Sequence, residues 1–433
     1  MSVNIESPTV EFLAKEELKN YQLDRLKSLL DYLNEHSQHY RELFAKEGIN
    51  PEDIDSLEDL KKIPFTQKKD LAENPDRFLC VEKSTIAEFV TTSGTIGNPI
   101  TVYLTRNDID RLAYNEAISM LKAGCTSNDV FQLATTMDKR FMAGLAYCEG
   151  VRKLDAGLIR VGASSPSLQW DSIERFKPTV LIAIPSFVLT LIDYAKANGI
   201  DYRNSSLKKV IAIGQPIRNT DLSLNKIGKR IEEEWGLSVY STYASTEMGC
   251  AFTECGFGTG GHLHPDLLYM EVVDEDGNEV AHGEEGEIVV TTLGVEAMPL
   301  LRYKTGDIAV KYDDTCSCGR TSGRLGPIIG RKQQMVKYKG TTVHPSALIP
   351  FLDSHKGVRS YLIELSTDEL GLDVLSVLVA EENFDTEKAQ QLTNEMGDFL
   401  KVKPQLRCIP QAQLKSLILD PSSRKPIRIL DKR

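Results

Sequence analysis

The feature that most constrains the fold is an alternation of apolar runs and amphipathic helices between residues 179 and 245. The run TVLIAIPS precedes the helical pattern FVLTLIDYAKANG, VIAIGQP precedes the helical DLSLNKIGKRIEEEWG, and the apolar run LSVYSTYAS follows. Strand–helix–strand units at this spacing predict a doubly wound sheet in an α/β fold, with the alternation traced from about residue 90 to 243. Ligands of such sheets bind outside the carboxyl ends of the strands, where residues 213–216 and 240–247 are expected.

The flanking regions have different patterns. Residues 1–80 are mostly helical, with four leucines at helical spacing between residues 26 and 33. Residues 268–310 are β-rich, with a hairpin predicted in LYMEVVDEDGNEV around Asp276-Gly277 and a strand in GEIVVTTL. The last hundred residues contain SYLIEL, LSVLVAEE and the helical TEKAQQLTNEMGDFLKV, which together predict a small α+β unit. We therefore expect a large N-terminal domain over residues 1–330, a small C-terminal domain over residues 331–433, and a short hinge at residues 331–333.

Composition excludes several classes of partner. The 433 residues carry 51 Lys and Arg against 62 Asp and Glu, a formal net charge of −11. No basic face is visible, so we expect no nucleic-acid binding, although local sites can still attract small anions. No run approaches the roughly 18 apolar residues of a membrane span, and the N-terminus has no signal-peptide pattern. The eight cysteines form no disulfide framework, so we expect a cytoplasmic protein with reduced thiols and no membrane partner.

The stretch VTTSGTIGNP at residues 90–99 concentrates hydroxyls and glycines directly after a short apolar run. Such residues are common in plain turns. They also form loops whose backbone N–H groups and hydroxyls bind polyphosphate, although no Gly-Lys-Ser/Thr follows as in a Walker loop. The composition alone leaves both interpretations open. The phosphate-binding candidates are Thr92, Ser93, Gly94, Thr95 and Gly97.

Four further motifs follow in order: YASTE at 243–247, RYKTGD at 302–307, GRKQQMVKYKG at 330–340 and RKPIRILDKR at 424–433. The five motifs, over essentially the whole chain, resemble the adenylate-forming superfamily of acyl-CoA synthetases and adenylation domains. EAMPLLRYKTGD, CSCGRT and the ending RILDKR are most similar to phenylacetate–CoA ligases. The resemblance implies an enzyme that uses ATP and Mg²⁺ to join a carboxylic acid to AMP and then transfers the acyl group to the thiol of CoA. It also implies a small C-terminal domain that rotates between the two steps.

Carried over motif by motif, the resemblance assigns roles to the candidate residues. Residues 91–97 would cover the β- and γ-phosphates, Tyr243 would stack on adenine, and Thr246 would contact the α-phosphate. Glu247 would hold Mg²⁺, which favours carboxylate and phosphate oxygens. Lys425 would bridge the α-phosphate and the attacking carboxylate. The other nucleotide and CoA candidates are Gly214, Gln215, Pro216, Ser241, Thr242, Ala244, Ser245, Asp307 for the ribose hydroxyls, Arg331, Lys337 and Gly340.

Each motif alone has a plainer explanation, and only the ordered set outweighs it. TGD is a common turn, Glu247 could cap a helix or pair with a cation on it, and Lys425 could be a solvated charge beside Arg424. Lys425 is preferred to Lys415 because K-x-x-R-x-x-D then continues through residues 428 and 431.

The chain departs from the pattern of the resembled family at three points. The phosphate loop reads GTIGNP, where many relatives have a second Thr and a Lys before the Pro. Gln333 stands where the hinge usually carries an acid, and Arg424 stands where a glycine usually precedes the lysine. The loop departure weakens the expected loop contacts but keeps the glycines and Ser93, and Gln333 predicts a domain rotation that is tuned differently.

A cysteine cluster is predicted separately. Cys316 and Cys318 form a tight C-x-C pair, and Cys255 lies upstream, followed by His262 and His264. Three thiolates and one imidazole suit a closed tetrahedral zinc site, which would be structural because no coordination position stays open. His262 is the preferred fourth ligand, because it aligns with a histidine of the resembled ligases, and His264 is expected near the acyl site. The alternative is a pair of inert residues in a turn, since the spacing is tighter than the usual C-x₂-C.

The sequence therefore predicts a two-domain ligase that makes an acyl-CoA from phenylacetate or a related aryl acid, with a homodimer compatible with this assignment. One alternative is an enzyme of the same fold that passes the acyl group to a carrier-protein thiol or to an amine. Another is a noncatalytic nucleotide-sensing protein, which the altered loop and hinge motivate and the retained Glu247, Asp307 and Lys425 argue against. The sequence does not name the acid, but Phe141 and Ala244 are candidates to line its pocket.

Overall fold

The computed structural model describes residues 6–92, 99–338, 341–369, 372–400, 402–419 and 426–433. The α-helices are α1 (Lys15–His36), α2 (Gln38–Glu47), α3 (Lys68–Glu73), α4 (Arg106–Lys122), α5 (Met142–Lys153), α6 (Pro166–Phe176), α7 (Pro185–Ala197), α8 (Lys226–Trp235), α9 (Leu348–Ser354), α10 (Thr386–Leu400) and α11 (Gln411–Ile418). Within these ranges, no helix has both the length and the apolar character needed to cross a membrane.

The β-strands of the described residues fall into several sheets. They are β1 (Glu88–Thr91), β2 (Thr101–Leu104), β3 (Val130–Leu133), β4 (Gly157–Arg160), β5 (Val180–Ala183), β6 (Lys209–Ala212), β7 (Ser238–Ser245), β8 (Cys250–Thr253), β9 (Gly261–His262), β10 (Leu268–Val273), β11 (Glu285–Thr292), β12 (Tyr303–Tyr312), β13 (Arg324–Leu325), β14 (Gly330–Arg331), β15 (Val336–Tyr338), β16 (Thr341–Val343), β17 (Tyr361–Thr367), β18 (Asp373–Ala380), β19 (Gln405–Ile409) and β20 (Ile429–Asp431).

Six strands form the sheet that the alternating pattern predicted, in the order β4-β3-β5-β6-β7-β8. The first five run parallel, and β8 is antiparallel to β7. Leu181 and Ala183 of β5 pack into a core with α7 and α8, whereas Val180 and Ile182 pack into another with α4 and α5. A strand covered on both faces must be apolar along its whole length, which is why TVLIAIPS is a continuous apolar run. The predicted doubly wound sheet is confirmed.

The strands that flank the phosphate-loop sequence lie outside this sheet. β1 and β2 form a two-stranded antiparallel ladder, with Thr91 opposite Thr101. The alternation of strands and helices does begin near residue 90, but its first two strands are not part of the doubly wound sheet, which begins with β3. The physical reason is the short connection between β1 and β2, since parallel neighbours need a crossover of a dozen or more residues.

A second sheet follows, with the order β10-β11-β12-β13-β9, and β14 pairs with β12. The predicted turn at Asp276-Gly277 is present: Gly277 has φ +87°, and Asp274 N–H donates to the Asn278 carbonyl at 2.9 Å. The residues after this turn form only an isolated bridge from Val273 to Glu279. The regular antiparallel partner of β10 is β11, which is the strand predicted in GEIVVTTL.

The C-terminal strands build a separate four-stranded sheet in the order β19-β18-β17-β20. Two apolar clusters belong to this region, and their members all lie between Val336 and Leu430. The large cluster of the N-terminal region, in contrast, is drawn from residues between Leu23 and Ile328. β14, at residues 330–331, is the last strand that pairs with the N-terminal sheets among the described residues.

A buried ion cluster anchors the N-terminal segment. Glu11 is fully buried, and its carboxylate contacts Lys122 Nζ at 2.6 Å, Arg320 Nε at 2.6 Å and His264 Nδ1 at 3.0 Å. These partners lie at the end of α4, in the loop that precedes β13, and just after β9. Removing one partner of such a cluster would leave an uncompensated charge in the interior, which is costly. His264 is therefore enclosed in this cluster and does not lie at an open acyl site, contrary to the sequence-based expectation.

Candidate functional site

A cleft lies between the β1–β2 hairpin and the turn that joins β7 to β8. Val102 and Leu104 of β2 line one side, Met142 at the start of α5 lines another, and Thr246 and Glu247 of the turn line a third. The fold therefore brings two residues predicted to contact the phosphates and the metal against the hairpin that carries the phosphate-loop sequence.

Thr92 closes the base of that loop. Its N–H donates to the Ile100 carbonyl at 3.0 Å, and its hydroxyl oxygen accepts from Ile100 N–H at 3.0 Å. The predicted phosphate contacts Ser93, Gly94, Thr95 and Gly97 lie outside the described residues.

Glu247 occupies the turn after β7 and is not part of a helix. The Tyr303 hydroxyl donates to Glu247 Oε1 at 3.2 Å, and Tyr303 is fully buried. Burial, together with the Glu247 carboxylate, raises the pKa of Tyr303, so the phenol remains a donor. In the part of the chain that the structure describes, no lysine or arginine pairs with Glu247. The interpretation of Glu247 as a helix cap or as half of a helical ion pair is thus wrong, and its carboxylate is available to a cation.

Tyr303 was missed by the sequence reasoning. It stands inside the quoted motif RYKTGD, but the spacing of that motif gives no sign that its hydroxyl reaches residue 247. Only the pairing of β12 with β11, which fixes the direction of the side chain, decides this contact.

Asp307 joins two other predicted nucleotide contacts. The Tyr243 hydroxyl donates to Asp307 Oδ2 at 2.8 Å, and Arg331 Nε donates to Oδ1 at 3.1 Å. Asp307 and Arg331 face each other across β12 and β14. Burial, and then the Asp307 charge, raises the pKa of Tyr243 well above its ordinary value. The carboxylate is therefore fixed between a neutral donor and a cation.

Residues 214–216 lie at the carboxyl end of β6, as the doubly wound topology predicted. Gly214 is exposed and has φ +71°, a conformation that favours glycine. Gln215 Oε1 accepts from Ser186 N–H at 3.0 Å, and the Pro216 carbonyl accepts from Asn225 Nδ2 at 2.9 Å. The loop is thus held against the starts of α7 and α8 at this edge of the sheet.

The remaining candidates of β7 are arranged along the strand. The Thr242 hydroxyl is 2.7 Å from the hydroxyl of Thr253 in β8, and Ser245 Oγ accepts from a backbone N–H of the following turn at 3.3 Å. The Ser241 N–H donates to the carboxylate of Glu254, a buried residue directly after β8. Ala244 is the exposed position of this group.

The C-terminal candidates are described only in part. Lys337 lies in β15, whereas Gly340 and Lys425 are outside the described residues. Phe141, a candidate for the acyl pocket, immediately precedes α5 and is half-buried. Among the nucleotide candidates, the structure brings residues 243, 307 and 331 into contact and places residues 246 and 247 in the cleft. The roles of Gly340 and Lys425, which lie in undescribed segments, stay predictions.

The four predicted zinc ligands lie together. The ligand atoms of Cys255, His262, Cys316 and Cys318 are all within 4.8 Å of one another. Cys255 Sγ is 3.7 Å from Cys316 Sγ, and Cys318 Sγ is 3.5 Å from His262 Nε2. A tetrahedral zinc with ordinary bond lengths requires about 3.8 Å between two sulfurs and about 3.5 Å between sulfur and nitrogen. Burial is the main cause that lowers the pKa of His262 to about 3, so its imidazole is neutral and able to coordinate.

The segments that carry these four residues come from different parts of the fold. Cys255 follows β8, His262 belongs to β9, and the two other cysteines lie in the loop between β12 and β13. Arg320 Nη1 donates to Cys318 Sγ at 3.4 Å and belongs to the ion cluster of Glu11. A zinc ion held by these four residues would therefore connect the two large sheets. Through the contact of Arg320 with Cys318, it would also be linked to the N-terminal segment.

Comparison with known proteins gives consistent relatives. The family model described as AMP-binding enzyme matches residues 26–297. The phenylacetate-coenzyme A ligase of Thermus thermophilus is 33% identical over 344 residues, which cover 78% of this chain and 76% of the relative. The phenylacetate-coenzyme A ligase of Escherichia coli (strain K12) is 32% identical over 355 residues, covering 80% of this chain and 79% of the relative.

Solved structures extend the likeness over nearly the whole chain. A 2-hydroxyisobutyryl-CoA ligase in the postadenylation state, in complex with R3-HIB-AMP, superposes with a TM-score of 0.83 at 25% identity, covering 98% of this chain and 92% of that chain. The same ligase with 2-HIB-AMP and CoA in the thioesterification state superposes with a TM-score of 0.71 at 26% identity and the same coverage. The TM-score is therefore higher for the postadenylation state than for the thioesterification state of the same ligase.

Proposed function

This chain belongs to the AMP-binding enzyme family and, within it, to the phenylacetate–coenzyme A ligases, and on that basis we propose that it converts an aryl carboxylic acid, ATP and CoA into acyl-CoA, AMP and pyrophosphate. In the first step a carboxylate oxygen bonds to the α-phosphorus and the bond to the β-phosphate oxygen breaks. In the second step the CoA sulfur, after losing its proton, bonds to the acyl carbon and AMP leaves. Phenylacetate or a related arylacetic acid is the proposed substrate, with Phe141 and Ala244 in its pocket.

The observation that carries this proposal is the pair of fixed carboxylates at the carboxyl end of β7. Asp307 is held by Tyr243 and Arg331, and Glu247 is held by Tyr303 and has no cationic partner among the described residues. Asp307 suits the hydroxyls of a ribose. Glu247 suits Mg²⁺, a hard cation that binds oxygen ligands and bridges them to phosphates. Thr246, beside Glu247 in the cleft, suits the α-phosphate.

The two domains are part of the same proposal, with residues 1–330 as the N-terminal domain and 331–433 as the mobile one. The separate apolar clusters on either side of residues 329–335 support this boundary. The better superposition on the postadenylation state supports an adenylation-type orientation of the small domain here. Lys332 Nζ, 3.0 Å from Glu287 Oε2, would then restrain the hinge in this orientation.

We also propose a structural zinc at Cys255, His262, Cys316 and Cys318, supported by the closeness of the four ligand atoms and by two distances, Cys255–Cys316 and Cys318–His262, that match a tetrahedral zinc. A cytoplasmic location fits thiols used as metal ligands. A role in the breakdown of aromatic acids and a homodimer are further parts of the proposal that the family assignment motivates. The net charge of −11 favours small-molecule substrates over nucleic acid.

The products test the function directly. With ATP, Mg²⁺, CoA and phenylacetate, we expect AMP and pyrophosphate in equal amounts with acyl-CoA, because the acyl adenylate is the intermediate. The measurement is chromatographic separation of nucleotides, with an acid-free reaction as control. ADP and phosphate as the products would contradict the proposal, and turnover with a carrier protein but not with CoA would favour the alternative acceptor.

Asp307→Asn tests the nucleotide site. Hydrogen bonds to a charged group contribute about 1.5–3 kcal/mol, so we expect the KM for ATP to rise about 10- to 100-fold, with the KM for the acid nearly unchanged. The control is Asp276→Asn in the exposed turn after β10, which removes the same charge outside the site. Melting temperatures should be compared, because Asp307 also pairs with Arg331. An equal rise in both KM values, or none, would contradict the assigned role.

A further inference from the structure

We propose that a cationic cleft at the carboxyl ends of β3 and β4 binds the phosphate groups of the CoA nucleotide, an inference that rests on the proposed ligase function. Thr136, Met137, Asp138, Lys139, Arg160 and Gly162 line this cleft. It is distinct from the cleft at Glu247, since the residues that line the two do not overlap. In a doubly wound sheet, the carboxyl ends of the strands are where ligands bind.

The loop that presents the cations is held in an unusual conformation. Lys139 and Arg140 are consecutive non-glycine residues with φ +58° and +59°, in the left-handed region that such residues rarely adopt. The Arg140 carbonyl accepts from Thr91 N–H at 3.0 Å, and Phe141 N–H donates to the Asp138 carbonyl at 3.2 Å. Strained conformations persist only where the surrounding structure enforces them, and they are concentrated at ligand sites.

Close packing with α5 also fixes the loop. A Cβ added at Gly144 would lie 2.4 Å from the Thr136 carbonyl oxygen and 2.8 Å from Met137 Cα. Only a glycine at this position allows the loop to pack so closely on the helix. The loop therefore keeps one position relative to β1, where the phosphate-loop hairpin begins.

The cleft has an excess of cations over acids among the described residues. Lys139, Arg140 and Arg160 are exposed, and in the ranges that the structure describes none of them forms an ion pair. One acid, Asp138, lies on the rim. On a chain with a net charge of −11, an anionic ligand needs such a local excess of cations.

The order of the strands gives the distance between the cationic cleft and the adenylate site. In the order β4-β3-β5-β6-β7, three strand spacings separate the β4–β3 edge from the β6–β7 edge, where residues 214–216 and 243–247 lie. Neighbouring strands are about 4.8 Å apart, so the separation is about 14 Å. The pantetheine arm of CoA has about twelve bonds between the diphosphate and the sulfur, and an extended chain of that length also spans about 14 Å. A nucleotide bound at Lys139 and Arg160 can therefore deliver its thiol to the adenylate.

The test is the double variant Lys139→Ala/Arg160→Ala, assayed with CoA and with pantetheine, which has the thiol but no phosphate. We expect the KM for CoA to rise about 10- to 100-fold, while the KM values for pantetheine and ATP stay within about twofold. The rate of adenylation, measured as acid-dependent exchange of pyrophosphate into ATP, should be unchanged. The matched control is Lys153→Ala/Lys208→Ala, which removes two exposed cations at the amino ends of β4 and β6.

Equal losses with CoA and pantetheine, a rise in the KM for ATP, or no change with CoA would each overturn the proposal. Calorimetric titration of CoA into wild type and variant tests the cleft even without turnover. If the wild type lacks pyrophosphate exchange but the double variant still weakens CoA binding about tenfold or more, the ligase function fails and the CoA cleft stands. If exchange is intact and CoA affinity is the same in both proteins, the cleft fails and the ligase function stands.

Discussion

Replacing Lys425 with alanine is expected to slow adenylation by about 10²–10³-fold or more while leaving thioester formation largely intact. A single donor aimed at developing charge contributes on this scale. Lys425 itself lies outside the described residues, but the chain that follows it is attached to the small domain, because β20 pairs in parallel with β17. A lysine carried by that domain can contact the α-phosphate in only one domain orientation, so it should serve one step of the two.

The measurement separates the half-reactions: pyrophosphate release from ATP and acid, and acyl-CoA formation from presynthesised acyl adenylate and CoA. Lys415→Ala is the matched control, since Lys415 is exposed on α11 and carries the same charge in the same domain. Equal loss in both assays would mean that Lys425 is structural or that the domain does not alternate. Loss with Lys415→Ala and not with Lys425→Ala would move the catalytic role to residue 415.

Cys316→Ser is expected to abolish stoichiometric zinc and to lower the free energy of unfolding by several kcal/mol. Structural zinc sites bind with apparent free energies of about 10 kcal/mol or more, and that energy is folding energy because the unfolded chain has no preformed site. Here the centre would join the segment after β8, strand β9 and the loop after β12, so its loss should release all three. The preference among carboxylic acids should change little, because the cluster does not line the cleft at Glu247.

Metal content is measured by elemental analysis of protein purified without chelator, and stability by denaturant unfolding with and without added zinc. The control is Cys408→Ser, because Cys408 is an exposed free thiol in β19 and far in sequence from the cluster. Wild-type protein without near-stoichiometric zinc would refute the site. A stability loss that is the same in both variants would assign no special role to Cys316.

The architecture could be predicted because its signals are local and repeated. Periodicity distinguished the helical N-terminal region, the doubly wound sheet, the β-rich region and the small α+β unit, and the structure confirms this fold class. The position of β1 could not be predicted in this way, because a short apolar run has the same composition in a parallel sheet and in a hairpin. Loop length was the available signal, since the connection from Thr91 to Thr101 is too short for a parallel crossover.

Part of the candidate site was predicted from the sequence, and one contact of it was not. Asp307, Arg331 and Tyr243 were proposed from ordered motifs, and the fold brings all three into contact. The Tyr303–Glu247 contact was missed, because it depends on side-chain direction between two sheets. The assigned roles of these residues, and of Lys425, remain predictions until the variants are measured.

The sequence by itself determined the fold class, the order of the motifs and the grouping of three cysteines with two candidate histidines, because each depends on residue types and on spacing along the chain. Only the tertiary structure decided that His264 lies in the buried cluster of Glu11 while His262 faces the cysteines. The two histidines are two residues apart, and no local pattern separates them. The difference arises because β9 pairs with β13 through His262, which aims that ring at the cysteine loop, whereas the chain after β9 turns into the interior beside α4. Which long-range partner a side chain meets depends on the packing of distant segments, and that packing is decided only when the whole chain folds.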